Sequence, residues 1–556
     1  MEASPAKIIH YFNGEKQNII PLFQRPYTWN QSNWQTLWDD VLVQYELDTN
    51  NTHFMGAIVS VPARSVPVGV SKFLIIDGQQ RLTTFSLLLC ALRDSLDKNS
   101  AARIQEVYLT NRFRDIDDTL KFVPTQADRT TYKNIAADQA LPSTDKSLMA
   151  EAYRFFIKQL TSATDSDGNL IDASKVLTTL EHNLQVVMIN LGDSDDPYLI
   201  FESLNFKGAP LTQADLVRNY LLMRFRHSIT PGGEQEHIYK SYWRPLEELL
   251  SEHLTDFLRH YSMKNGDDIK QGSIYAAIKN KIDKIDLPQL VEDEISNLLK
   301  FGKYYAKILL LTSEQNLEIR RILKNIKDLK ITTSYPLLLQ LFALREEEKL
   351  SNENLSKCLH LIESYVVRRA VCGLPANSLG RLFLQLARDL PSTEQENWIR
   401  ESMSNLQGGR RFPNDEEFSE AFKNQAQYGK TSTRYILERL ETSFNHHETV
   451  DLSTITIEHV LPQTITPEWR NELGEDADKI HEKTLHTFGN LTLTGYNSEL
   501  GNISFSEKIE LLSNTHIELN RSILSKTCWG EIEIKDRAAY LLNISLEIWS
   551  FPSTNQ

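Results

Sequence analysis

At 556 residues the chain is too long for a single hydrophobic core, so two or three domains are expected. Its 41% hydrophobic and 24% charged residues are those of an ordinary water-soluble globular protein, with no apolar run long enough to cross a bilayer. A net charge of −14 argues against nonspecific coating of nucleic acid but leaves room for a local basic groove.

The N-terminal MEASPAKIIHYFNGEK has neither the basic start nor the apolar run of a signal peptide, so a cytoplasmic location without a membrane partner is expected. Cys90, Cys358, Cys372 and Cys528 are scattered and form no C-x-x-C pair, so neither a zinc knuckle nor a disulfide framework is indicated. A metal would therefore need oxygen and imidazole ligands, a donor set that favours Mg²⁺ or Mn²⁺.

Residues 1–230 mix short strands with helices. Within FQRPYTW, Arg25 is a candidate phosphate ligand, and Gln24, Tyr27 and Trp29 are candidates for sensing a DNA base by stacking or hydrogen bonding. Trp29, Trp34 and Trp38 read better as core. KFLIID, 72–77, predicts a buried strand; Gly78 turns the chain, and 79–95 predicts a helix. The strand-to-helix junction carries Asp77, Gly78, Gln79, Gln80 and Arg81. A Gly-preceded helix N-terminus offers backbone donors to an anion, and Arg81 adds a bidentate phosphate donor. Read structurally, the same DGQQR is a turn and a cap. VVMINL, 186–191, predicts a second buried strand. Lys207, in FESLNFKG, is a further basic candidate, and Thr212 caps a helix over 210–225.

Residues 231–430 predict a helical bundle, with helices over 246–261, 290–311, 336–347 and 355–370 and a loop over 408–416. Residues 431–556 predict a helix over 434–444, strands over 454–460 and 490–494, and a helix over 504–513 capped by Ser504 with Glu507.

Hydrolysis of a phosphodiester needs an activated water and stabilisation of the leaving oxygen. In TIEHVLPQ, His459 is the candidate base, because a neutral imidazole accepts a proton near neutral pH. Glu458 is its neighbour. The two point to opposite faces of a strand and share one metal only if the strand ends or bulges, as Pro462 suggests. Asn490, in GNLTLT, is placed to orient His459. Asn497 and Asn502 are candidate amide ligands of a metal, and Lys508 is a candidate contact to the substrate phosphate. The order strand, strand, helix with these residues resembles the His-Asn-His, or ββα-metal, nuclease hairpin.

Two further resemblances cover most of the chain. FQRPYTWN, FMGAIV, IIDGQQRLTT and FESLNFKGAPLTQADLVRNYLL resemble the ParB-like DUF262 domain, with ESYVVRRAVCG at 363–373 similar to its helical extension. EHVLPQ, GNLTLT, N-S-x-L-G-N and the following Lys resemble the DUF1524 nuclease domain. The pair resembles GmrSD-type, modification-dependent (type IV) restriction enzymes, and phosphorothioate-sensing SspE-like proteins share it. The implied fold class is α+β and predominantly helical: a ParB-like α/β N-terminal domain, a helical middle and a ββα-metal C-terminal domain. The implied function is an anti-phage endonuclease or nickase acting on modified double-stranded DNA. Its implied cofactors are Mg²⁺ or Mn²⁺ at the nuclease and a nucleotide, GTP or ATP, bound and hydrolysed at the DGQQR motif. A homo-oligomer is compatible with it. The alternatives are a non-catalytic, nucleotide-switched DNA-binding regulator and a toxin-type nuclease acting on RNA or unmodified DNA.

Overall fold

A computed structural model of the chain describes residues 2–22, 24–47, 52–62, 69–112, 114, 118–139, 141–142, 144–192, 212–225, 234–285, 287–444 and 450–552. The chain divides into two compact units, Met1–Arg244 with Lys279–Ile295, and Pro245–Ile278 with Ser296–Gln556. The fold is α+β and predominantly helical. No described helix is long and apolar enough to cross a membrane.

The first unit is built on a mixed six-stranded sheet of order β1-β6-β3-β4-β2-β5. Its strands are β1 (Glu2–Lys7), β2 (Lys16–Ile19), β3 (His53–Pro62), β4 (Ser71–Asp77), β5 (Phe122–Val123) and β6 (Leu184–Asn190). β4 and β6 fall where the apolar runs predict. β1 and β3 escape sequence reading for physical reasons. β1, EASPAK, lies on the sheet edge, where its proline is tolerated and no apolar run is needed. β3 carries Gly56 at φ 101°, and the register against β6 shifts between Phe54 and Ala57, so its alternation is broken by a bulge.

Helix α1 (Gln31–Glu46) is capped by Asn30, and α2 (Gln79–Ser95) follows β4 directly. α2 is buried nearly all round, as its run LTTFSLLLCALR requires, and it packs against α3 (Leu148–Ser162). Thr212 caps α4 (Gln213–Met223) in a reciprocal capping box with Asp215. FESLNFKG, with Lys207, lies outside the described residues.

In the second unit the helix expected over 246–261 is interrupted. Ser251 takes φ 46°, which ends Arg244–Leu250 and opens a short 3₁₀ turn before Leu254–Met263. Helix α5 (Asn352–Val371) carries ESYVVRRAVCG, and its charged residues are buried in the fold. Glu363 accepts from the Tyr435 hydroxyl at 2.6 Å and from Trp549 Nε1 at 3.1 Å. Arg368 donates to the carbonyls of Trp549 and Pro413 and to Asp415, while Arg369 donates to the carbonyls of Gly409, Arg411 and Pro375. The motif thus ties the 408–415 segment and the C-terminal tryptophan to α5.

The hairpin lies in this unit. β7 (Thr456–His459) pairs antiparallel with β8 (Leu491–Thr494), with Glu458 opposite Thr492 and His459 opposite Leu491. α6 (Thr431–Ser443) precedes it, and α7 (Ala477–Thr484) lies in the connection. A one-turn α8 (Asn497–Leu500) and then α9 (Phe505–Leu512) follow, α9 capped by Ser504 with Glu507 in the predicted box. The long α10 (Glu531–Ile548) closes the unit.

Candidate active site

β7 keeps regular register to its last residue, so Glu458 and His459 face opposite ways. Pro462 comes too late to bend them together. On one face His459, only 3% exposed, meets a second histidine: its Nε2 lies 3.1 Å from Nδ1 of His486. Its Nδ1 faces the Gln463 amide at 3.3 Å, and Gln463 is exposed. Tyr428 stands edge-on to His459 with centroids 4.4 Å apart and stacks on His486 at 5.5 Å with 10° between the planes. Burial, His486, Lys508 and His481 push the His459 pKa down to about 4, so the imidazole is neutral near physiological pH. Burial and His481 also lower His486.

On the other face Glu458 meets Lys508. The ammonium, with 0% exposure, donates to Glu458 Oε1 at 2.7 Å and to the His459 carbonyl at 2.8 Å. Burial raises the Glu458 pKa and lowers that of Lys508, while their mutual attraction opposes both shifts. Lys508 is therefore not the exposed phosphate contact that the sequence suggested. It holds β7 from beneath, in the way that α9 docks on the strand.

Asn490 is fully buried, and its amide is spent on backbone and an indole rather than on the His459 ring. Its Oδ1 accepts from the Leu461 N–H at 2.7 Å and Trp529 Nε1 at 3.0 Å, and its Nδ2 donates to the carbonyls of Leu461 and Leu485, both at 2.9 Å. It locks the chain leaving β7 against the chain entering β8. Gly489 beside it is required by packing: a Cβ there would lie 2.2 Å from the Ile534 carbonyl oxygen of α10. Arg537, also on α10, is buried and donates to the carbonyls of Phe488, Gly489 and Leu491. Sequence reading missed Arg537, since nothing local in a helical EIKDRAAY distinguishes a buried arginine from a solvated one.

The expected metal set of Glu458, Asn497 and Asn502 does not fit a divalent ion as arranged. Glu458 already holds an ammonium in a buried pocket, where a second cation would be repelled. Asn497 and Asn502 are exposed, and Asn497 Nδ2 makes a long, 3.5 Å contact to the Ile457 carbonyl. Among the described residues no group of three His, Cys, Asp or Glu side chains is placed to hold a metal.

In the first unit DGQQR lies at the β4–α2 junction as predicted. Gly78 takes φ 88°, and a Cβ there would lie 2.9 Å from Ile58 Cγ1. Gly78 offers α2 no side-chain cap, and the Asp77 carboxylate accepts from the Gly78 N–H. Burial raises the Asp77 pKa and lowers that of Arg81, and the charge of each opposes the other's shift. Arg81 Nη1 donates to the Ala57 carbonyl at 2.9 Å, in the space left by Gly56. Gln79 keeps a buried Oε1 without a hydrogen-bond partner. Gln80 is structural: its amide binds the backbone of Pro26, Thr28 and Trp29.

Within FQRPYTW, Tyr27 and Gln24 belong to the interior and not to a base-sensing surface. Tyr27 is buried, with its hydroxyl 2.7 Å from Thr84 Oγ1 and accepting from Trp34 Nε1 at 2.8 Å, so its ring cannot stack on a base. Gln24 is buried and donates to the Ile76 carbonyl at 2.8 Å. Trp29 packs half-buried against the core, and Arg25 is half-buried.

Comparison with known families covers both segments. A model of the GmrSD restriction endonuclease N-terminal domain matches residues 8–222, which contain DGQQR, and a model of the GmrSD restriction endonuclease C-terminal domain matches residues 412–544, which contain the hairpin and most of α10. No curated protein matches the chain. With both ends of the family's architecture present in order over more than half its length, this chain belongs to the GmrSD restriction endonucleases.

Proposed function

We propose that this restriction endonuclease acts on modified DNA, that His459 is the general base of its nuclease unit, and that a nucleoside triphosphate bound at the start of α2 regulates it. One observation carries the reading of the nuclease: a buried, neutral imidazole at the end of β7 whose Nδ1 faces the amide of an exposed glutamine. A neutral imidazole takes the proton of an attacking water, and the negative phosphodiester brought beside it raises its basicity toward the working pH. Lys508 and Asn490 act on the backbone around His459, keeping that ring in place. The uncapped start of α2, with Arg81 beside it and the unpartnered Gln79 oxygen, supports an anion with hydrogen-bond donors of its own, as a nucleotide has.

The test is cleavage by the full chain of modified phage DNA, phosphorothioate DNA, unmodified plasmid and RNA, each with GTP, with ATP and without nucleotide, in Mg²⁺ and in Mn²⁺. The reading expects cleavage of a modified DNA that changes with nucleotide. DNA binding without cleavage under every condition would replace it with a regulator, and equal cleavage of RNA or unmodified DNA would replace it with a toxin-type nuclease.

A further inference from the structure

We propose that His486 is the positioning residue of the nuclease site: by accepting a hydrogen bond from His459 Nε2–H it fixes the tautomer in which His459 Nδ1 is unprotonated, the acceptor that the Gln463 amide now faces and that the attacking water uses in its place. The proposal rests on the reading of His459 as the base.

The argument is geometric. A neutral imidazole carries one proton, and the hydrogen bond made by one nitrogen decides the state of the other. His459 Nε2 is committed to His486 Nδ1 at 3.1 Å in the interior of the site. Nδ1 faces the amide of Gln463 at 3.3 Å, and Gln463 is exposed. For Nδ1 to accept a proton from water, Nε2 must hold the ring's proton, and His486 Nδ1 must be the acceptor. When the water proton arrives on Nδ1, the ring becomes an imidazolium whose Nε2–H bond to His486 is strengthened by the charge. The O–H bond of the water breaks, the N–H bond at Nδ1 forms, and the hydroxide adds to phosphorus as the ester oxygen leaves.

His486 is itself held. Its carbonyl accepts from the Gln427 N–H at 2.7 Å, and its ring lies under the Tyr428 ring. It lies four residues before Asn490 in the chain leading to β8, next to the segment that Arg537 and Gly489 pin against α10. Asn490, the residue the sequence pattern offered for this duty, has its amide fully engaged elsewhere.

The experiment compares His486→Ala, His486→Leu and His486→Asn in the full chain, with His459→Ala as control. Asn can present an amide oxygen near the place of Nδ1, whereas Leu fills the volume without an acceptor. We expect kcat to fall by at least about 10-fold in the Ala and Leu variants with KM little changed, and to recover largely in the Asn variant. ¹⁵N chemical shifts of His459 should report the Nε2–H tautomer in the wild type and the Asn variant, and its loss in the Leu variant. Wild-type kcat in His486→Ala with a dead His459→Ala would overturn the positioning role alone. Full cleavage by His459→Ala would instead overturn the base assignment, and an Nδ1–H tautomer in the wild type would overturn the proposal whatever the rates.

Discussion

Replacing Lys508 by methionine removes the cation against Glu458 and leaves a buried carboxylate without its charged partner and the His459 carbonyl without the ammonium donor. Breaking a buried pair from one side costs about 3–5 kcal/mol, because the remaining charge stays desolvated. For a unit of this size that corresponds to a fall in Tm on the order of 10 °C. The loss should depend on pH. Burial already raises the Glu458 pKa, and without Lys508 it rises further. A carboxyl whose folded pKa lies above its unfolded value, about 4.3, stabilises below that value and progressively loses the contribution as pH rises through the folded pKa. The variant should thus be closest to wild type under mildly acid conditions and weakest in mild alkali. Adding Glu458→Gln removes the stranded charge, so the double variant should recover most of the stability and lose the pH dependence. The assay is thermal and urea unfolding of the wild type, both singles and the double at several pH values. A Lys508→Met protein as stable as wild type, or a double variant no better than Lys508→Met, would refute the buried pair and return Lys508 to the substrate surface.

Gly489→Ala should destabilise the second unit by about 2 kcal/mol or more, since its Cβ meets the Ile534 carbonyl and α10 must move; an unchanged Tm would contradict the packing. Asn490→Ala strands the Leu461 N–H and Trp529 Nε1, so a loss of roughly 2–4 kcal/mol is expected, with activity falling only as the fold does. A kcat loss in Asn490→Ala at unchanged Tm would show direct action on the base. Burial pushes the His260 pKa down to about 4, so the stability it contributes is full above the unfolded value near 6.5 and is lost as pH falls through the folded value. That predicts a loss on the order of 3 kcal/mol across this window, and a shallower acid slope of urea midpoints for His260→Gln; identical slopes would refute it. Asp77→Ala and Arg81→Ala should abolish phosphate release from nucleotide; normal hydrolysis would make the β4–α2 junction structural.

The two sites differ in how far they could be read from sequence. At the nuclease hairpin the strand order, the α9 capping box and His459 at the end of β7 all follow from local pattern, because a short β-branched run, a capping box and an order of elements are local properties. What Lys508 and Asn490 do was not legible. Whether a lysine faces water or a carboxylate fifty positions away depends on how α9 docks on β7, and Asn490 serves backbone groups that no pattern marks. Likewise the Gly78 turn follows from the sequence alone. The burial of Tyr27 arises from contacts to Thr84 and Trp34 that only the assembled first unit creates. His486 and Arg537 carry no motif at all. Their importance comes from a second imidazole meeting the first and from α10 closing over the GN turn.

The central claim, that cleavage depends on the imidazole at the end of β7, is tested most directly by the single-turnover rate of DNA cleavage by His459→Ala beside wild type, with the fold of both checked by circular dichroism. The account predicts an intact fold and a rate reduced about 10²–10⁴-fold, the scale of losing a general base. Cleavage at the wild-type rate by a folded His459→Ala protein would contradict it and place the chemistry elsewhere in the chain.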